Sequence, residues 1–191
     1  MRNAYNGLKA FLEERYKLTN AEWELIRASF DKVEVAKNTF LLEEGQHCEY
    51  LYYLHEGLVR FFRWEDGEEK TQYLTFEDYF FTQQESFFLR RPSNVNIQAI
   101  EPSVLLRIHE KDLTRVRQQS PAWSQFAFEI RAEVQVATET LLRDFQSRTA
   151  KERYLIILDQ QPEMVRRVPL KYLASFLGIT PESLSRIRKE V

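Results

Sequence analysis

The sequence predicts an α+β protein: N-terminal helices and an antiparallel jelly-roll β-barrel, then one long helix, then a small helix-turn-helix unit. Three observations carry this reading. From 33 to 108 the chain is built of short runs rich in Leu, Tyr, Phe, Val and Ile, broken by Glu44-Gly45, Glu56-Gly57 and Asp66-Gly67, which is the texture of strands and tight turns. Beyond Ser120-Pro121, the apolar residues Ala127, Ile130, Val134, Ala137 and Leu141 recur at alternating spacings of three and four, the period of a helix. After residue 168, two shorter helical periods flank Gly178.

Each element can be justified in order. Residues 4 to 30 read as two helices, with Leu8, Phe11 and Leu12 on the apolar face of the first and Trp23, Ile26 and Phe30 on that of the second. Thr19-Asn20-Ala21-Glu22 has the form of a capping box, which places the second helix start near Thr19. Asp66-Gly67 lies between two strand-like runs and accepts the positive φ angles of a tight hairpin. So many short strands with no long helix between them close naturally as a small barrel or jelly roll. The seam from Ala127 to Leu141, flanked by Glu129, Arg131, Glu133, Glu139 and Arg143, suits a dimer interface better than a core helix. The remaining segment is expected to hold three helical stretches punctuated by Pro162, Pro169 and Gly178. The expected boundaries are 1–120, 121–148 and 149–191.

Composition bounds the function. With 191 residues, 43% of them hydrophobic, the chain is expected to be globular. No apolar run approaches the roughly 20 residues that span a bilayer. The first thirty residues carry charges throughout, among them Lys9, Glu13, Arg15 and Glu22, so a cytoplasmic location is expected. Cys48 is the only cysteine; it offers no disulfide partner and no thiolate cluster, and is read as buried or idle. His47, His55 and His109 lack a carboxylate or cysteine at ligand spacing, so no metal site is expected. There is no Gly-rich phosphate loop, nucleophile elbow or His-Glu-x-x-His. Glu43-Glu44 and Glu68-Glu69 point to opposite faces of a strand and cannot act as a pair. No enzyme is expected. Tyr53, Phe61, Phe62, Tyr73 and Phe76, interleaved with Arg60 and Arg63, read as barrel core in preference to a stacking platform for single-stranded nucleic acid.

The informative stretch runs from Val168 to Val191. Pro169 suits a first helical position, and Leu170, Leu173, Ala174 and Leu177 share one face. Gly178 can take the left-handed conformation that stops a helix, Thr180 caps the next, and Pro181 opens it. In that second helix Leu184, Ile187 and Val191 fall on one side, while Glu182, Ser185, Arg186 and Lys189 fall on another. Two short amphipathic helices joined through glycine, the second presenting polar residues early, are what a major-groove reader needs. Arg186 can pair with guanine O6 and N7, Glu182 can accept from a cytosine amino group, and Lys171, Thr180, Ser183, Ser185 and Lys189 can reach bases or phosphates. The net charge is -2 overall, yet this stretch with its approach carries Arg166, Arg167, Lys171, Arg186, Arg188 and Lys189 against Glu182 and Glu190. Basic charge is therefore local, as nucleic-acid affinity requires.

Together with Arg153-Tyr154 and Pro162-Glu163, this stretch resembles the C-terminal region of Crp/Fnr-type regulators. Phe40-Leu-Leu-Glu-Glu-Gly45, Leu51 to Arg60, and Asp66-Gly67-Glu68-Glu69 are similar to the strands and turns of that family's cyclic-nucleotide-binding barrel. The resemblance implies a bacterial homodimer that binds double-stranded DNA, with 1–120 as sensor, 121–148 as dimerisation helix and 149–191 as reader, and with RNA polymerase as a further partner. It also implies a hairpin wing after the second helix; with Val191 ending the sequence, any wing is expected from elsewhere.

The sensor departs from the family. Members that bind cyclic nucleotides cradle the phosphate with Gly-Glu and, some ten residues later, Arg-Ser. Here Thr82-Gln83 stands for the first pair, and Pro92-Ser93 or Ser93-Asn94 for the second. A buried phosphate needs a paired cation and closely approaching amides, so cyclic AMP is a doubtful effector. Thr82, Gln83, Gln84, Glu85, Ser86, Arg91, Ser93 and Asn94 remain the candidate pocket for another small molecule or for none; Arg90 or Arg91 could enter it from a shifted position, but exposed loop arginines are the favoured reading. The alternative to a DNA-binding regulator is a ligand-binding or protein-interaction module without DNA binding.

Overall fold

The computed structural model describes residues 3–190. Two compact units divide the chain: one is the chain up to Arg63 together with Leu74–Ile130, the other Trp64–Tyr73 together with the chain from Arg131 onward. Helices α1 (Ala4–Glu13) and α2 (Asn20–Ser29) precede strands β1 (Asp31–Val35), β2 (Phe40–Leu42), β3 (Tyr50–Glu56), β4 (Val59–Glu65), β5 (Glu68–Thr75) and β6 (Tyr79–Phe81). A six-residue helix, α3 (Gln84–Leu89), separates these from β7 (Asn96–Ala99) and β8 (Ser103–His109). Helix α4 (Glu110–Gln119) leads to the long α5 (Pro121–Ser147). The strands form two four-stranded sheets, ordered β1-β8-β3-β6 and β2-β7-β4-β5, with antiparallel pairing in both. This is the expected jelly roll.

Local chemistry explains the boundaries. Thr19 and Glu22 make the reciprocal capping box at the start of α2. Asp66 (φ 52°) and Gly67 (φ 77°) are both left-handed, as a two-residue turn between twisted strands demands. At Gly57 the backbone has φ +111°, and a Cβ would lie 2.2 Å from Ser103 Oγ, so the β3–β4 turn admits only glycine.

Strand alternation sends Tyr52 and Phe81 between the sheets, where they stack at 5.1 Å, and Phe61 of the facing sheet meets Phe81 edge-on at 5.9 Å. Burial pushes the Tyr52 phenol well above its ordinary pKa. Tyr53 and Phe80 face the other way, into a layer with Phe11, Phe30, Trp123 and Phe126. Tyr53, Phe61 and Phe62 are core as expected, whereas Tyr73 is 42% exposed. Arg60, not foreseen as buried, is 1% exposed. Its guanidinium lies over the Phe62 ring and donates to Gln98 Oε1 at 3.1 and 2.8 Å. Cys48 is buried, and His109 caps α4 by accepting from the Lys111 N–H. Among the described residues no group of His, Cys, Asp and Glu is placed to hold a metal, and no helix is long and apolar enough to cross a membrane.

Glu22 ties the base of α5 to α2. One carboxylate oxygen accepts from the Thr19 N–H and hydroxyl, the other from the Ser120 hydroxyl at 2.8 Å and the Ala122 N–H at 3.2 Å. These bonds, the Thr19 N–H foremost, hold its pKa down to about 2 against the opposing effect of burial. A depressed carboxylate contributes stability that is fully present above its unfolded pKa and is lost as pH falls through the folded one. Glu22→Gln is therefore expected to lower stability by about 1 to 2 kcal/mol at neutral pH. The gap to wild type should begin to shrink below the ordinary value of 4.5 and close near 2. Urea unfolding across pH 2 to 7 measures this, and a gap independent of pH would refute it.

Candidate functional site

Among the described residues four helices, one more than expected, follow α5 in the second unit: α6 (Ala150–Gln160), α7 (Pro162–Arg167), α8 (Leu170–Phe176) and α9 (Pro181–Lys189). The break between α6 and α7 falls at Gln161 (φ −139°, ψ 58°), beside Pro162 as expected, because a residue before proline is pushed out of the helical region. Thr149 and Glu152 form a second capping box at the head of α6. Pro169 takes the cap position of α8 in place of the first helical one, since its ψ of 140° is extended.

Helices α8 and α9 form the helix-turn-helix. Leu173, Ala174, Leu177 and Leu184 are at most 1% exposed and pack in a small core that also buries Tyr154, Met164 and Val168. Gly178, at φ +72°, ends α8, and Thr180 Oγ1 accepts the Ser183 N–H at 3.2 Å to open α9. With Leu184 inward, Glu182, Arg186 and Lys189 are exposed, Ser183 and Ser185 half-exposed, and Thr180 exposed at the helix mouth. Ile187 is half-buried; Val191, expected on the packed face, lies outside the described residues. The Glu182 carboxyl is held below its ordinary pKa by its own backbone N–H first, then by the Thr180 hydroxyl, with Arg186 adding a coulombic pull. It is thus an anion and an acceptor beside a cationic donor.

Arg153 holds the turn, a role that sequence reasoning missed. Its guanidinium donates to the Arg148 carbonyl at 2.6 Å and the Leu177 carbonyl at 2.7 Å, and lies 4.2 Å from the Phe145 ring centroid. One side chain thereby satisfies backbone acceptors at the end of α5 and at the end of α8. The only sequence signal was the Arg153-Tyr154 pair. Lys171 is exposed on α8 and lies 3.3 Å from the Glu69 carboxylate.

On α5, Ala127 and Ile130 pack partly against the barrel core. Farther along the seam, Val134 and Leu141 are half-exposed and Ala137 exposed. Phe128 (76%), Val136 (62%) and Leu142 (58%) add exposed apolar surface outside the expected seam.

The candidate effector segment is brought together around α3, but its polar groups are spent on one another. Thr82 Oγ1 donates to the Tyr50 carbonyl, and the Gln83 side chain caps α3 and donates to Asn94 Oδ1. The Ser86 hydroxyl, fully buried, accepts the Cys48 N–H at 2.7 Å. Ser93, also buried, donates to the Val95 carbonyl at 2.7 Å. Gln84 is exposed. Arg91 pairs with Glu85 at 3.3 Å and Arg90 with Glu110, both arginines on the surface. Neither shifted arginine enters the segment's interior.

Residues 32–120 match the family model of the cyclic nucleotide-binding domain. Among solved structures, a Crp/Fnr-family transcriptional regulator from Eubacterium rectale aligns with a TM-score of 0.69 at 19% identity, covering 91% of this chain and 83% of its own. The c-di-GMP-responsive global regulator CLP of Xanthomonas campestris aligns at 0.66 and 20%, covering 90% and 91%. The catabolite activator protein of Thermus thermophilus aligns at 0.55 and 21%, covering 92% and 84%. No curated protein sequence matches the chain. A jelly roll, a long helix and a helix-turn-helix follow one another along the chain. In fold, the chain is a Crp/Fnr-type protein, with a cyclic nucleotide-binding domain at 32–120.

The residues present do not fit a cyclic nucleotide. Tyr52, Phe61 and Phe81 fill the space between the sheets. Ser86 and Ser93, the buried hydroxyls of the segment, are already bonded, and its two arginines sit outside against carboxylates. A buried phosphate would meet no cation from this segment.

Proposed function

We propose that this chain is a homodimeric, sequence-specific transcription regulator of the Crp/Fnr type, acting on double-stranded DNA in the cytoplasm and not responding to cyclic AMP. The observation that carries the reading is the division of α9 into two faces. Leu184 is buried while Glu182, Arg186 and Lys189 are exposed together, on a helix fixed at its start by the Thr180 cap. A base-reading helix needs that combination of rigid seating and free polar face. The apolar residues left uncovered on α5, Val134, Ala137 and Leu141 with it, support pairing of two copies. Two recognition helices then enter major grooves about one helical turn, or ~34 Å, apart.

Selection of duplexes from a random DNA pool tests this. Enrichment of a two-fold symmetric site, with affinity falling by several log units per log unit of salt, is the expected result. Failure to enrich any duplex, with the folded protein at micromolar concentration, would favour a module that docks a protein or small molecule.

A further inference from the structure

Strand β5 is the outer strand of its sheet, so alternate backbone N–H and C=O groups along it have no strand to meet. Within the second unit, one hydroxyl does the work of a neighbouring strand. Ser175 Oγ on α8 accepts the Thr71 N–H at 2.8 Å and donates to the Glu69 carbonyl at 3.0 Å. One turn earlier on the same helix, Lys171 Nζ lies 3.3 Å from the Glu69 carboxylate. Residues 171 and 175 stand four apart and share a face, so the hairpin tip, Trp64–Tyr73, grips α8 through its backbone and its charge at once. The grip is ordered on the hairpin side: Thr71 is 6% exposed, and the Glu69 side chain 16% against 68% for Lys171.

The first helix of a helix-turn-helix crosses the phosphate backbone, and Lys171 is the cation that its outer face offers. We infer that the hairpin tip is a built-in competitor for DNA: Glu69 stands where a phosphate would otherwise pair with Lys171, and Ser175 locks it there. This rests on the DNA-binding reading above. When DNA arrives, Lys171 must exchange a carboxylate for a phosphate, and a carboxylate left beside the phosphates repels them. Both effects oppose binding. The partner that releases the grip is therefore the nucleic-acid backbone itself, or any event that withdraws the hairpin.

The test uses the full chain and a duplex obtained by selection. Glu69→Gln keeps the shape and removes the charge; it is expected to tighten binding about two- to five-fold, the range of an exposed ion pair. It should also steepen the log-log salt slope by a fraction of a unit, for the share of the Lys171 charge that Glu69 no longer holds. In the Lys171→Ala background, Glu69→Gln is expected to change affinity by much less, because the competition runs through Lys171. Hydrogen exchange gives a second readout. The Thr71 amide should be protected in the free protein and should exchange faster in Ser175→Ala and in wild type saturated with duplex. Unchanged or weaker binding by Glu69→Gln, with wild type still bound, overturns the competitor and leaves DNA binding standing. A Thr71 amide equally protected with and without bound duplex overturns it too. No binding by wild type or any variant overturns both readings.

Discussion

Trp123→Ala is expected to cost about 3 to 5 kcal/mol of folding stability. Trp123 is 1% exposed at the first turn of α5. Its ring meets Phe30 at 5.7 Å, Phe80 at 5.8 Å and Phe126 at 5.2 Å. These contacts come from three places in the chain, the C-cap of α2, β6 and the next turn of α5, so no single neighbour can collapse into the space that alanine would leave. The cost of a core truncation grows with the cavity that survives relaxation. Ser120 and Glu22 fix the backbone beside it, which further limits collapse. Equilibrium unfolding in urea, compared at constant m-value, reads the difference. A loss under about 1 kcal/mol would show that the layer is loosely packed and that α5 is not anchored there.

The features legible in the sequence were those whose cause lies within a few residues. Thr19 with Glu22, Asp66 with Gly67, and Gly178 with Thr180 each state a cap or a turn in adjacent letters, and each appears where expected. The two faces of α9 follow from helical period alone. What could not be read depends on partners distant along the chain. Ser175 meets Glu69 across 106 positions, Glu22 meets Ser120 across 98, and Arg60 meets Gln98 across 38. Nothing local marks Ser175 as more than a polar helix residue, and a lone Arg60 in an apolar strand gives no sign that Phe62 and Gln98 will bury it. The effector segment was marked only by its departures from the family pattern. That its remaining hydroxyls and amides would close on one another required coordinates, because Cys48 and Tyr50, which engage Ser86 and Thr82, belong to a different stretch of chain.

Arg186→Ala is expected to weaken binding to the selected DNA site by about 1 to 3 kcal/mol and to relax base preference at one position in each half-site. The argument is geometric. Arg186 lies one turn beyond Glu182 on the exposed face of α9, and its charge acts on the Glu182 carboxylate. The two therefore present a donor fork and an acceptor to neighbouring base edges. A bidentate contact to guanine is lost whole when the fork is removed, and the base is left with unmet acceptors in a desolvated groove. Lys171→Ala should behave differently, lowering affinity for specific and random duplexes alike and flattening the salt slope by less than a full unit, since part of its charge is already held by Glu69. Measuring both variants against the selected site, against single-base substitutions of it and against random DNA separates the roles. Equal losses for Arg186→Ala on every duplex would reduce it to a phosphate contact and move base reading to Glu182, Ser185 or Lys189. A loss confined to one base position would fix the register of α9 in the groove, and with it which half-site base each neighbouring side chain can reach.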